Sequence, residues 1–357
     1  MQKIKELISK ITELDYQLMK IAGDKLDNLT KPQGSLGRLE ELARLIVGIT
    51  RKADPQFKNK VIFTLAADHG VIEEKVSAYP KEVTAQMVYN FLNGGAGINV
   101  LARHIGARVV VVDIGVALKT KDLKLKTQNF VDKKINYGTK NMAKGPAMTR
   151  EEAIKSIETG IELFNDELAN GVDIVGTGDM GIGNTTASSA ITACITKKPI
   201  EEVTGRGTGI DDRGLERKIM VIKKSLEINN PNFTDSLDVL SKVGGFEIGG
   251  LAGIILAAAA GKVPVVIDGF ISGAAALIAY NLEPKVKDYM IAAHCSVEKG
   301  HRIILQYLGL KPILDLDLRL GEGTGAALGI SIVEAAIKIL TQMASFKQAG
   351  VSKEIDK

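Results

Sequence analysis

An α/β fold, with a parallel sheet covered on both faces, is predicted by three features of the sequence. Six short apolar runs, mostly β-branched, punctuate the chain, at Val61–Ala66, Val109–Ile114, Val172–Val175, Val263–Ile267, Tyr289–Ala293 and Ile313–Leu318. Stretches of helical periodicity separate them, the alternation expected of βαβ units. Most runs end in glycine or a polar group, as at Asp68-His69-Gly70, Gly176-Thr177-Gly178-Asp179, Asp268-Gly269, His294 with Ser296, and Gly321-Glu322-Gly323. In open parallel sheets ligands sit beyond the carboxyl ends of the strands, so these clusters are expected along one rim.

The apolar runs lack strict alternation, as strands buried on both faces do. Ile313–Leu318 is the exception; its Leu/Asp alternation suits a half-buried strand. Outside the sheet region, Ile4, Leu7, Ile8, Ile11, Leu14 and Leu18 recur at helical spacing and predict an N-terminal amphipathic helix. Leu29–Gly34 breaks the pattern, and Ser35 is placed to cap a second helix through Leu39, Leu42, Ala43 and Ile46. Val333, Ala336, Ile337 and Leu340 predict another helix near the far end. The two ends, 1–55 with 325–357, are expected to pack as a small helical domain beside a large α/β catalytic domain over 56–324.

Composition narrows the function classes. Of the 357 residues, 45% are hydrophobic and 25% charged, the balance of a soluble enzyme with a large core. The net charge is +4 with no basic run of five, and aromatics are only 4% with no Trp. Neither a polyanion-binding surface nor a stacking platform for single-stranded nucleic acid is expected. The start, Met1-Gln2-Lys3-Ile4-Lys5-Glu6, has no apolar signal core, and the most apolar stretch, Gly249–Ala260, is too short to span a bilayer. A cytoplasmic protein without a membrane partner is expected. Cys194 and Cys295 read as buried thiols rather than a disulfide pair.

Three glycine-rich clusters can carry chemistry. Gly176–Thr186 reads as a strand-to-helix turn whose backbone could approach an anion. Gly176, Gly178 and Gly181 also match the dinucleotide pattern G-x-G-x-x-G, but no second strand ends in the acidic residue expected about 20 residues on. Gly178–Thr185 approaches a P-loop with Asn184 in place of its lysine. The second cluster, Thr204–Gly209 followed by Arg213 and Lys218, suits a monophosphate, or is a solvated charged loop. In the third, Glu322 between Gly321 and Gly323 is either a catalytic carboxylate or an acid favoured by the dipole of the helix that follows. His69, His104, His294 and His301 show no metal-ligand spacing and are expected to make structural hydrogen bonds. Ser35, Ser77 and Ser296 lack a nucleophile elbow.

Taken in order, seven strings resemble one family. They are Lys31-Pro32-Gln33-Gly34-Ser35-Leu36-Gly37-Arg38-Leu39-Glu40, Ala67-Asp68-His69-Gly70-Val71, Gly181-Ile182-Gly183-Asn184-Thr185-Thr186, Ser241-Lys242-Val243-Gly244-Gly245-Phe246, Asp268-Gly269-Phe270, Ser296-Val297-Glu298-Lys299-Gly300 and Arg319-Leu320-Gly321-Glu322-Gly323. The chain is similar over nearly its whole length to the nicotinate-nucleotide–dimethylbenzimidazole phosphoribosyltransferases of cobalamin lower-ligand synthesis. The resemblance implies a Rossmann-like six-stranded parallel sheet flanked by helices, a small helical bundle from both termini, and a homodimer. It implies transfer of ribose 5-phosphate from nicotinate mononucleotide to 5,6-dimethylbenzimidazole or a similar base, without metal or other cofactor. It makes Glu322 the general base and puts Gly205, Gly207 and Lys218 at the substrate phosphate. Ser296 and the Asp179–Gly181 loop fall near the nicotinate and ribose, and Tyr79 and Met87 in the segment lining the base pocket. Asp179 stands where some members have Glu, and Tyr79 where a smaller Ser occurs.

Overall fold

The computed structural model describes residues 1–118 and 129–352. Six parallel strands form one sheet: β1 (Lys60–Ala67), β2 (Arg108–Gly115), β3 (Phe130–Asp132), β4 (Ile174–Met180), β5 (Val265–Ile267) and β6 (Met290–Ala292). Their order is β3-β2-β1-β4-β5-β6, so the chain reverses direction across the sheet between β1 and β4. The register of the central strands fixes what meets at the rim. Thr64 of β1 pairs with Val111 of β2 on one side and Gly178 of β4 on the other.

Alternation along β1 divides the core in two. Val61, Phe63, Leu65 and Ala67 point to one face, where helices Arg150–Ala169, Phe246–Ala260 and Phe270–Leu282 cover them. Ile62 and Ala66 point to the other, under Ala326, Ile330 and Val333 of helix Thr324–Gln342 and Ile98 and Ala102 of helix Gly97–Ile105. Helix Thr324–Gln342 is long and apolar enough to cross a membrane by length and composition. Here its apolar face packs on the sheet and on helix Arg38–Thr50.

On the first face two helices touch backbone to backbone. A methyl on Gly160 would lie 1.9 Å from Gly250 O, and one on Gly253 would lie 2.1 Å from Ile157 O. Neither carbonyl can step aside without separating the helices. Gly160→Ala is therefore expected to destabilise the fold by roughly 1–3 kcal/mol or more, the cost of overpacking a core. A lower midpoint in chemical denaturation, with unchanged slope, checks this.

The structure corrects several sequence expectations. Ile313–Leu318 is not a strand; only Leu314 bridges to His294, and Asp317 with φ 54° ends the extended run beside exposed Leu316. The strand that completes the sheet is instead β3, Phe130–Asp132, three residues at the sheet edge. β4 continues through Gly176, Thr177, Gly178 and Asp179, which the sequence presented as a turn. The N-terminal periodicity is not one helix: Gln2–Ile8 ends at Ser9, Ile11 and Leu14 are buried in a connecting segment, and Tyr16–Asp27 begins at Asp15, whose Oδ1 accepts from Leu18 N at 2.9 Å. Ser35 caps nothing; Gly37 precedes helix Arg38–Thr50, and Glu40 reaches back to accept from Leu36 N at 3.0 Å. Leu29 bridges Ser345, and Thr30 N donates to Ala344 O at 3.0 Å. Helix Gln2–Ile8, however, lies on the opposite face, against Phe246–Ala260 and Arg150–Ala169.

Candidate active site

The carboxyl ends of β1, β4 and β5 deliver Asp68, Asp179 and Asp268 to one rim. Each carboxyl group is buried there, and burial raises all three pKa values. Asp179 Oδ2 accepts from Asn184 Nδ2 at 2.9 Å, while its Oδ1 is buried without a partner. Desolvation first, then Asp268 and Glu247, lift Asp179 well above the ordinary carboxylate range. Asp268 is pushed to about 7 by burial, against the pull of the backbone N–H groups it accepts. Two of these come from Gly323 at 3.2 Å and Ala326 at 3.0 Å. Asp268 thereby ties β5 to the turn that carries Glu322.

That turn is conformationally unusual. Gly321, Glu322 and Gly323 all have positive φ, at 80°, 65° and 101°. A glutamate in the left-handed region costs energy and persists only when its surroundings hold it. They do: Glu322 N donates to Asp179 O at 3.2 Å, and Glu322 O accepts from Thr64 Oγ1 at 2.8 Å. The side chain then points away from its own helix. Oε2 accepts from Ile98 N at 3.0 Å, and the Gly97 N–H also favours the charged carboxylate. The acid therefore sits at the N-terminus of helix Gly97–Ile105, not that of Thr324–Gln342, which corrects the simple dipole reading. Glu322 is only 4% exposed. Burial raises its pKa above the usual 4.5, while the two amides moderate the rise.

The second glycine cluster lies across the cleft. Lys218 is fully buried, and desolvation lowers its pKa to about 8, with Glu298 acting in the opposite sense. Its Nζ donates to Thr185 Oγ1 at 2.8 Å and lies 3.4 Å from Gly205 O. Gly207 N donates to Glu298 Oε1 at 2.9 Å, and Arg319 Nη1 reaches Gly207 O at 3.4 Å. Ser296 N donates to His301 Nδ1 at 3.0 Å, and Ser296 Oγ accepts from Glu298 N at 3.3 Å. Burial, then His294, holds the His301 pKa down to about 3, so this ring is a neutral acceptor.

One cleft collects Asp179, Gly181, Gly207 and Ser296 along its wall, together with Thr185, Glu298, Arg319 and Gly321. Gly205 and Lys218 adjoin it behind Thr185, and Glu322 follows Gly321. Tyr79 and Met87 are outside this lining. Tyr79 is half exposed before helix Glu82–Leu92, and Met87 is partly buried on it. That helix approaches the site through Thr84 Oγ1, which accepts from Ile182 N at 3.1 Å. Thr185 and Glu298 lie within the family strings but carry no local signal of a role in the sequence. A further buried pair, His69 Nε2 and Glu247 Oε1 at 2.7 Å, joins β1 to helix Phe246–Ala260. Burial opposes charge on His69, but the Glu247 carboxylate outweighs it and leaves the ring pKa raised.

The dinucleotide reading fails on this geometry. Gly176 and Gly178 lie inside β4, and what approaches them is protein: Ala326 Cβ at Gly176 and Glu322 O at Gly178.

The chain is similar to known proteins over nearly its whole length. A family model described as phosphoribosyltransferase matches residues 11–351. A relative from Desulforudis audaxviator, named nicotinate-nucleotide–dimethylbenzimidazole phosphoribosyltransferase, is 58% identical over 353 residues, covering 99% of each chain. One of the same name from Geobacter metallireducens is 57% identical over 356 residues and covers 100% of both. A crystal structure of the Thermus thermophilus enzyme of that name superposes with TM-score 0.89 at 42% identity, covering 96% of this chain and 100% of that one. The chain belongs to the nicotinate-nucleotide–dimethylbenzimidazole phosphoribosyltransferase family.

Proposed function

We propose that this cleft moves ribose 5-phosphate from nicotinate mononucleotide to 5,6-dimethylbenzimidazole or a similar base. The products are α-ribazole 5′-phosphate and nicotinate, made for the nucleotide loop of cobalamin. The observation that carries the reading is Glu322, a buried carboxylate of raised pKa anchored by the amides at Gly97 and Ile98. The leaving nicotinate departs from a pyridinium and needs no acid. The incoming base is the harder partner: one ring nitrogen attacks C1′ while the other must lose its proton. Glu322 accepts that proton as the new C–N bond forms, and the electron pair of the breaking bond stays on the nicotinate nitrogen. Attack opposite the leaving group inverts C1′. A carboxylate oxygen offers more than one lone-pair direction, so the anchoring amides leave capacity for the base N–H.

Lys218, Gly205 and Gly207 receive the phosphate in this reading, with Thr185 Oγ1 orienting the ammonium. Ser296 and the Asp179–Gly181 segment flank the nicotinate and ribose, and the segment carrying Tyr79 and Met87, outside the cleft lining, is assigned to the acceptor base. The enzyme acts as a homodimer in the cytoplasm. Incubating the protein with nicotinate mononucleotide and a panel of benzimidazoles, adenine and phenols, then identifying ribotides by mass spectrometry, tests the reaction. A benzimidazole ribotide is expected; no ribotide with any acceptor contradicts it.

Two further outcomes follow. A base works deprotonated, so kcat should fall with decreasing pH through a midpoint above the ordinary 4.5 of a glutamate, because burial raises Glu322. A profile flat down to pH 4.5 would remove Glu322 from that role. Lys218→Met should raise the KM for nicotinate mononucleotide by roughly 10–100-fold, the scale of losing one charge-assisted hydrogen bond. Initial-rate kinetics read it directly.

A further inference from the structure

The Gly207 N–H that the phosphate reading needs is already donated, to a carboxylate. Glu298 Oε1 accepts it at 2.9 Å, and Glu298 Oε2 is buried with no partner. The same carboxylate lies against the Gly205 backbone, where a methyl would come within 2.2 Å of Oε2. It also acts electrostatically on the Lys218 ammonium. Glu298 lines the cleft together with Thr185, Gly207 and Ser296, and it is only 7% exposed. A glycine turn and a buried ammonium are the usual means of holding an anion. Here they hold one supplied by the chain itself.

We propose that Glu298 is a built-in competitor for the substrate phosphate, occupying the Gly207 donor until the phosphate displaces it. The inference rests on the assignment of Gly205, Gly207 and Lys218 to the phosphate. Glu298 begins helix Lys299–Leu308 but makes no side-chain cap there, so its carboxylate is not needed to satisfy that helix end. A phosphate arriving at Gly207 meets a second anion on the same donor, and both cannot keep it. Displacement lowers the apparent affinity by the fraction of molecules in which the donor is free. It also keeps the buried Lys218 beside a counter-charge throughout, which limits the cost of an isolated buried cation. For the reaction, a competitor of this kind would speed release of the phosphorylated product, because the carboxylate re-forms its bond as the phosphate leaves.

The test is orthophosphate binding to the full chain by calorimetry, in the wild type and three variants. Glu298→Gln keeps an acceptor for Gly207 N but removes the charge. It should bind orthophosphate more tightly, because a neutral amide holds the Gly207 N–H less strongly than a carboxylate and no longer repels the phosphate. Glu298→Ala removes the side chain and frees the donor outright, so it should show the larger gain, about tenfold, as when a donor vacated one part in ten becomes fully available. Unchanged or weaker binding in both would overturn the proposal, and would make Glu298 a positioning residue for Gly207 instead. Lys218→Met separates this from the parent reading. If it binds orthophosphate as the wild type does, the phosphate assignment itself fails. If it binds more weakly while neither Glu298 variant gains, only the competitor is lost.

Discussion

Glu322→Gln should lower turnover by roughly 10²–10⁴-fold, the usual scale of general-base catalysis, while leaving nicotinate mononucleotide binding unchanged. The amide replaces the carboxylate almost atom for atom, and its oxygen can still accept from Ile98 N, as Glu322 Oε2 does at 3.0 Å. The turn that carries it depends on backbone bonds to Asp179 O and Thr64 Oγ1, neither of which involves the side chain. Geometry is thus retained and proton-accepting power is lost. The effect should fall on kcat with every acceptor base, because all must shed the same N–H proton. Equilibrium binding of the nucleotide, measured beside single-turnover rates, separates the two contributions. Turnover within a few-fold of wild type would assign the proton to another group.

The second large effect comes from a residue with no side chain. A methyl on Gly178 would lie 2.3 Å from Glu322 O, 2.6 Å from Glu322 C and 2.7 Å from Gly323 N. All three are backbone atoms of the turn, so Gly178→Ala must push the turn off β4. Glu322 would move with it, and displacements near 1 Å at a reacting group cost about 10²-fold. A loss of that size in kcat is expected, with destabilisation of roughly 1–3 kcal/mol from overpacking. Gly23→Ala is the matching control. Its methyl meets only Arg44 Cδ at 3.4 Å, within helix Tyr16–Asp27. Turnover there should be unchanged, with stability equal or slightly higher, since alanine favours a helix interior.

Much of the fold was legible because burial on both faces forces continuous apolar runs. β1 and β2 were visible for that reason, at Val61–Ala66 and Val109–Ile114. β4 was visible only in its first half. Its second half, Gly176–Asp179, packs against the backbone of the Glu322 turn and against Ala326, and so has no room for the side chains that mark a strand. The closeness of the packing made it look like a loop. β3 was missed because three edge residues carry too little pattern, while Ile313–Leu318 carried the pattern without a ladder. At the N-terminus, buried Ile11 and Leu14 continue a helical period across a segment that is not helical.

The candidate site divides along similar lines. Glu322 stood out through its flanking glycines, and the positive φ values explain why glycine is there. The groups that set its chemistry did not stand out. The Ile98 amide is 224 positions away in sequence, and any residue supplies an amide. Asp268 was visible as a polar strand end, but its bonds to Gly323 and Ala326 depend on how β5 meets the turn. Glu298 lay in an ordinary string, and its contact with Gly207 spans 91 positions. Local pattern reveals residues whose own backbone is unusual. It does not reveal partners recruited by the topology of the sheet.

The most direct measurement of the central claim is a crystal structure of Glu322→Gln holding both nicotinate mononucleotide and 5,6-dimethylbenzimidazole. The slow variant should trap both substrates, with the residue 322 amide about 2.6–3.2 Å from one ring nitrogen and the other nitrogen facing C1′. A base bound in line with C1′ but with residue 322 turned away from both of its nitrogens would contradict the assignment.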